Sequence, residues 1–143
     1  MRAGNLVSRC LSLIAALGCV VLAGCGTQQS ADLFQVTRTG TISGANLKLL
    51  VNDSGTVTCN GGKPRVLPGP LLLAARALSG DLAADAGKPV AGDPPVNSVY
   101  RFRVKSGAGT LDWIDGSLGL PDSYLRLSQF TRTVAKTVCG LAR

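Results

Sequence analysis

The stretch SVYRFRVKSGAGTLDWID, residues 98–115, predicts two antiparallel strands joined by a tight turn. Apolar side chains recur at every second position in residues 98–105 and again in residues 110–115, the repeat of strands with one buried face. A two-residue turn at Gly107-Ala108, with glycine first as type II′ turns prefer, fits between the two halves. The pattern therefore predicts a hairpin with one apolar face that packs against other elements.

The turn also determines which residues of this hairpin lie opposite each other. Four core residues form two pairs: Phe102 with Trp113, and Val104 with Leu111. On the other side, three basic residues alternate along the first strand: Arg101, Arg103 and Lys105. We therefore expect a basic solvent face behind an aromatic and aliphatic core face.

A second hairpin is expected upstream of the first. Residues 33–39 and 46–52 are strand-like, and residues 52–56 (NDSGT) fit a three-residue loop whose glycine takes the left-handed conformation. The resulting register has two core pairs: Val51 with Val57, and Leu49 with Cys59. Cys59 is thereby expected on the core face, under a covering helix.

Two helices are expected to cover the sheet. After a Gly- and Pro-rich loop at residues 60–70, residues 71–86 carry apolar residues at helical spacing, although Gly80 leaves open whether the helix is continuous. Pro121 begins the last helix. Its apolar stripe is Tyr124, Leu127, Phe130, Val134, Val138 and Leu141. The order β-β-β-α-β-β-α predicts an α+β fold, with an antiparallel sheet of about five strands and two helices packed on one face.

The composition disfavours catalysis. The 143 residues include no histidine and no glutamate, and all eight acidic residues are aspartates. Ser-His-Asp and Cys-His arrangements are therefore impossible, and imidazole metal ligands are absent. Asp112 and Asp115 fall on opposite faces of a strand, and no Asp-x-Asp-x-Asp spacing occurs. We expect a domain that is not an enzyme and that uses neither a metal nor a cofactor.

The first 25 residues resemble the leader of a bacterial lipoprotein. Two arginines precede a mostly apolar run at residues 10–23, which is too short for a permanent membrane span. The run ends Leu22-Ala23-Gly24-Cys25, which resembles the lipobox of that family, and the Ala-, Gly- and Arg-rich composition resembles small actinobacterial lipoproteins. The resemblance implies a signal peptide at residues 1–24, lipidation of Cys25, and anchoring to the cell membrane outside the cytoplasm. The alternative is an ordinary signal peptide and a released product.

Processing at Cys25 would leave two cysteines for a disulfide. Cys10 and Cys19 lie in the removed segment, and Cys25 would be acylated. Cys59 and Cys139 would then share an oxidising compartment. The simplest inference is a Cys59–Cys139 disulfide between an early strand and the last helix.

The remaining chain divides into a tether and a domain. Residues 25–32 are the lipidated cysteine and a small, polar tether, and residues 33–143 are a single extracytoplasmic domain. Removal of the two leader arginines lowers the formal charge from +7 to +5. This charge favours attraction to an anionic partner without requiring it.

The basic solvent face is the candidate binding site. Lys48 is expected beside Arg101, Arg103 and Lys105, and such a face can hold an anionic envelope component or an acidic patch of another envelope protein. The alternative is an ordinary solvated face that Asp112 and other charges neutralise. Nucleic acid is not expected outside the cell, and the basic residues are not interleaved with exposed aromatic rings. We expect a monomer.

Two other functions stay open. The order of elements over residues 46–141 resembles that of the subtilisin-inhibitor-like proteins, which implies a serine protease inhibitor that presents the loop at residues 87–97. The chain lacks the cysteines that brace the reactive loop in that family. A carrier of a small lipophilic ligand would instead need a lipid-sized cavity between the sheet and the helices.

Overall fold

The computed structural model describes residues 31–88 and 95–142, which form one antiparallel sheet and two helices. The elements in chain order are β1 (Asp32–Gly40), β2 (Leu47–Asn52), β3 (Thr56–Cys59), β4 (Pro64–Val66), α1 (Gly69–Asp85), β5 (Tyr100–Ser106), β6 (Gly109–Ile114) and α2 (Asp122–Thr137). The α+β class expected from the sequence is confirmed. The leader, Cys25 and the middle of the loop at residues 87–97 lie outside the described residues.

The sheet has six strands in the described part of the chain, rather than about five, in the order β4-β3-β2-β1-β5-β6. The additional strand is β4, within the segment predicted to be a loop at residues 60–70. It pairs with β3, where Thr58 lies opposite Pro64. A proline lacks the amide hydrogen that a central strand needs, so this short strand is restricted to an edge. The sequence pattern missed it because three residues are too few to show an alternation.

The register of the hairpin formed by β2 and β3 agrees with the sequence prediction. Both expected pairs form between β2 and β3: Val51 with Val57, and Leu49 with Cys59. They flank a three-residue loop in which Gly55 has a φ of 87°. Glycine adopts this left-handed conformation without a Cβ clash. The turn therefore determines which side of β3, and hence which side of Cys59, faces the core.

The register of β5 and β6 is also confirmed, but the expected turn type is wrong. Both predicted pairs form: Phe102 with Trp113, and Val104 with Leu111. Gly107 lacks the positive φ that a type II′ turn requires, and a positive φ of 135° occurs at Gly109 instead. The Ser106 hydroxyl accepts a 3.3 Å hydrogen bond from the Ala108 amide. This local hydrogen bond from the side chain supports a turn that is not of type II′.

Both helices pack on the same face of the sheet. α1 is continuous through Gly80 and buries Ala75, Leu78 and Leu82. α2 adds Tyr124, Leu127, Phe130 and Val134 to the same core. The sheet contributes Phe34, Val36, Leu49, Val51, Val57, Phe102, Val104 and Trp113. The helices thus leave the second face of the sheet uncovered by any described element.

A disulfide links the sheet to the C-terminal segment. The Sγ atoms of Cys59 and Cys139 are 2.02 Å apart, and the two residues are separated by 80 positions. α2 ends at Thr137, so Cys139 follows the last helix instead of belonging to it, which corrects its expected position. Arg65 of β4 also donates a 2.8 Å hydrogen bond to the Val138 carbonyl. Two contacts therefore hold the end of the chain against the β3–β4 edge.

Candidate functional site

The uncovered face of the sheet carries all four basic residues of the predicted binding face. Lys48 of β2 lies opposite Thr37 of β1, and Thr37 lies opposite Arg103 of β5. Because neighbouring strands are about 4.8 Å apart, the backbones of Lys48 and Arg103 are separated by about 10 Å. These two cations therefore stand in one row across the sheet.

Arg101 and Lys105 extend the site along β5. Each is two residues from Arg103 on the same face, a backbone distance of about 6.6 Å. All three side chains are exposed, whereas Phe102 and Val104 between them are buried. We call the four residues together the basic face: Lys48, Arg101, Arg103 and Lys105.

Within the described residues, only one cation of the basic face has a carboxylate partner. The Nε atom of Arg103 lies 2.8 Å from the Asp112 carboxylate on β6. None of the ion pairs among the described residues involves Lys48, Arg101 or Lys105. Asp112 therefore neutralises one position of the face, and the other three cations have no ion-pair partner among the described residues.

The helix layer has a different arrangement of charge. Four of its cations are paired: Arg76 with Asp53, Lys88 with Asp85, Arg126 with Asp81 and Asp122, and Arg132 with Asp115. Exposed pairs of this kind contribute little to stability, but each removes a net charge from the surface. The helix layer thus presents mostly neutralised charge, and the sheet presents a group of unpaired cations.

Two open depressions border the basic face at opposite ends of β5. One of about 380 Å³ is lined by residues that include Thr39, Ile114 and Arg101. The other, of about 250 Å³, is lined by residues that include Gln35 and Lys105. The depression at Arg101 therefore combines an exposed cation with polar side chains, an arrangement that can receive an anionic group, whereas Asp32 adds a carboxylate to the lining of the depression at Lys105.

Sequence reasoning missed the buried Arg38, which supports one end of the site. It follows Phe34 and Val36 on the core face of β1 and is only 1% exposed. Its Nε donates a 2.9 Å hydrogen bond to the Ala45 carbonyl, and its Nη2 donates a 3.3 Å bond to the Gly44 carbonyl. Burial lowers the pKa of the Arg38 guanidinium. The alternation of Phe34, Val36 and Arg38 was the available sequence signal.

Asp112 and Asp115, the two carboxylates considered for catalysis, do not converge on a shared site. Asp112 contacts Arg103, whereas Asp115 lies 2.7 Å from Arg132 of α2. Within residues 31–88 and 95–142, no three potential metal ligands cluster. Over the same ranges, every helix is too short or too polar to cross a membrane. Between the sheet and the helices lie core side chains that are at most 7% exposed.

Comparisons with protein-family models, with curated proteins and with solved structures find no match for this chain. Its function must therefore be inferred from its own residues, above all from the basic face and the leader.

Proposed function

We propose that this protein is a lipid-anchored, non-catalytic binding protein of the cell envelope, and that the basic face holds an anionic envelope component. The observation that carries the proposal is a group of three cations without an ion-pair partner among the described residues, on a sheet face that no described element covers: Lys48, Arg101 and Lys105. A locally positive, open surface attracts and orients anionic groups.

The spacing of the basic face suits a ligand with repeated anionic groups. Arg101 and Lys105 are about 13 Å apart along β5, with the partly neutralised Arg103 between them. A guanidinium group binds phosphate or carboxylate oxygens through two parallel hydrogen bonds, whereas an ammonium group acts as a point charge. A polymer can occupy several cations at once, which makes weak single contacts effective together. We therefore favour an anionic polymer, and an acidic protein surface is the alternative.

The anchor is supported by the leader and by its distance from the domain. The lipobox-like ending at residues 22–25 places Cys25 six residues before Ala31, the first described residue. Two or more acyl chains are sufficient for stable membrane attachment. The variant Cys25→Ala should therefore appear in the soluble fraction, while the wild-type protein sediments with membranes. Membrane attachment of the variant would contradict the anchor.

The alternative functions have less support. Residues 89–94, the middle of the loop that an inhibitor would present, lie outside the described residues. Lys88, at the start of that loop, is held in an ion pair with Asp85. A lipophilic carrier needs a cavity between the two layers, where the described core side chains are buried.

The binding proposal is tested with the mature, lipidated protein in detergent. Retention on immobilised heparin or polyphosphate is compared for the wild type, for Arg101→Glu/Lys105→Glu, and for the control Lys63→Glu/Lys136→Glu. Both double variants change the net charge equally, and Lys63 and Lys136 are exposed residues outside the basic face. We expect the salt concentration needed for elution to fall strongly for the first variant and only slightly for the control. Equal shifts would mean that net charge alone governs retention, and the proposal would fail.

A further inference from the structure

Helix α1 is apolar on two opposite sides. Its inner side buries Leu78 and Leu82 against the sheet. On its outer side, Leu73 is 66% exposed, and Ala77, one turn later, is exposed as well. The outer side of a surface helix is normally polar. α1 therefore carries apolar surface that no other described element covers.

This apolar surface continues into a groove between α1 and α2. The groove has a volume of about 280 Å³, and its apolar lining includes Leu71, Ala74, Ala77 and Phe130. Leu73 adjoins it on the same side of α1, because Leu73 and Ala77 are four residues apart. Phe130 is only 5% exposed and belongs to the core, so we call the other four residues the helix face: Leu71, Leu73, Ala74 and Ala77.

Two arginines at the border of the helix face are bound by aspartates. Arg126 lies 2.8 Å from Asp81 and 2.7 Å from Asp122. Arg76 lies 2.6 Å from Asp53. A paired charge resists approach to an apolar phase less than an isolated charge does. The helix face thus has an apolar centre and a border at which Arg76 and Arg126 are each bound by aspartates, with the exposed Lys136 farther along α2.

The chain that leads to the anchor leaves the fold beside α1. The carbonyl of Ala31 accepts a 3.0 Å hydrogen bond from the Asp53 amide, and Asp53 is the ion-pair partner of Arg76 on α1. The Leu33 carbonyl also accepts a 3.5 Å hydrogen bond from the Ser79 hydroxyl of α1. Six residues of chain reach at most about 20 Å. The acyl groups on Cys25 would therefore lie within about 20 Å of Ala31, at the end of β1 that contacts α1.

We propose that the helix face rests on the surface of the lipid bilayer that holds the anchor. This inference depends on the anchor at Cys25 proposed above. The short tether raises the effective concentration of lipid at α1, so a modest apolar surface suffices for docking. Leucine side chains at the headgroup boundary are typical of helices that lie on membranes. The tether holds lipid near the helix face, whereas no such covalent link holds a second copy of the chain there.

Docking in this way orients the whole domain. α1 and α2 cover one face of the sheet, and the basic face lies on the other. With the helix face on the bilayer, Arg101, Arg103 and Lys105 point away from the membrane. The basic face is then presented to components of the envelope instead of the lipid headgroups to which the protein is attached.

The orientation is tested with the lipidated protein in vesicles of phosphatidylethanolamine and phosphatidylglycerol. Cys25 is acylated and Cys59 and Cys139 are bonded to each other, so a new cysteine can be labelled selectively with an environment-sensitive fluorophore. The variants are Ala77→Cys on the helix face and Thr110→Cys, which is opposite Lys105 on the other side of the domain. Quenching by lipids that carry a spin label on the acyl chain is then measured.

We expect quenching at position 77 to exceed that at position 110 by about twofold or more, as for a side chain at the headgroup boundary. Adding Leu73→Asp to the Ala77→Cys chain should reduce the difference. Equal quenching of vesicle-bound protein would overturn the docking and leave the anchor intact, whereas loss of vesicle binding would mean that the anchor itself fails. Two further results would also refute bilayer docking. In the first, the unprocessed chain, which retains residues 1–24, is measured without vesicles. If its label at position 77 is then shielded from water, the leader occupies the helix face. A signal that depends on protein density would identify a second copy.

Discussion

The guanidinium carbon of Arg38 lies 4.8 Å from the centroid of the Tyr100 ring, at a position where the arginine is almost fully buried. The ring faces the cation from one side, and the carbonyls of Gly44 and Ala45 accept its hydrogen bonds. Arg38 thus bonds to the connection between β1 and β2 and also contacts Tyr100 of β5, which lines the same depression as Arg101.

The first prediction concerns this arginine. The variant Arg38→Met should lower the free energy of unfolding by about 3 kcal/mol, because it removes the cation above the ring and leaves the buried Ala45 carbonyl without its donor. Arg38→Lys keeps the charge but cannot reach both carbonyls in the same way, so it should also destabilise, though less. Urea unfolding of both variants checks this order. A Met variant as stable as the wild type would show that the contacts of Arg38 contribute nothing to stability.

A second prediction concerns the link between Cys59 and Cys139. Replacing both with alanine should destabilise the domain by up to about 4.5 kcal/mol, because the cross-link restricts the unfolded chain over 80 residues. Reductant should lower the urea midpoint of the wild type and leave that of the double variant unchanged. Two free thiols in the purified, folded wild-type domain would contradict the disulfide.

The third prediction concerns the hydroxyl of Tyr124. Tyr124 is fully buried against the Trp113 ring, with the two centroids 4.7 Å apart, and its hydroxyl has no hydrogen-bond partner among the described residues. Burial raises the pKa of Tyr124 above its usual value. Tyr124→Phe should therefore raise the free energy of unfolding by about 1 kcal/mol, because it removes an unsatisfied polar group and keeps the ring. A clear loss of stability would show that the hydroxyl has a partner.

The fourth prediction concerns the pH dependence of stability. The Ser123 hydroxyl, which donates a 2.5 Å hydrogen bond, and the Lys88 ammonium hold the pKa of the Asp85 carboxyl below its usual value. A lowered pKa in the folded state stabilises the fold above the unfolded value of about 4, and this contribution is lost as the pH falls through the folded value. Asp85→Asn should therefore destabilise the domain at neutral pH and progressively less under acid conditions. Urea midpoints of the wild type and the variant over this range test the trend; a difference that does not change with pH would count against it.

Hairpin register could be predicted from the sequence because it depends on neighbouring residues. A short loop and strict alternation allow few registers, and the pairs Leu49 with Cys59 and Phe102 with Trp113 follow from them. The position of β1 could not be predicted in this way. Val36 pairs with Val104, far along the chain, and no local pattern specifies which strands become neighbours across a helix.

The candidate site was predictable to the same extent. Alternation along β5 places Arg101, Arg103 and Lys105 on one face, and the hairpin register brings Asp112 opposite Arg103. The depressions beside that face depend on how loops fold back onto strand ends, which the alternation does not describe. Arg38 belongs to this second group, because its buried position depends on carbonyls in the connection that follows β1.

The most direct measurement of the central claim is site-specific photo-crosslinking in intact cells. A photoreactive residue at Thr39, which lines the depression beside Arg101, should capture an envelope component that carries phosphate or carboxylate groups. We expect this capture to be lost when Arg101→Glu/Lys105→Glu is added and to persist with Lys63→Glu/Lys136→Glu. Capture that is unchanged by reversing Arg101 and Lys105 would contradict the assignment of the basic face as the binding site.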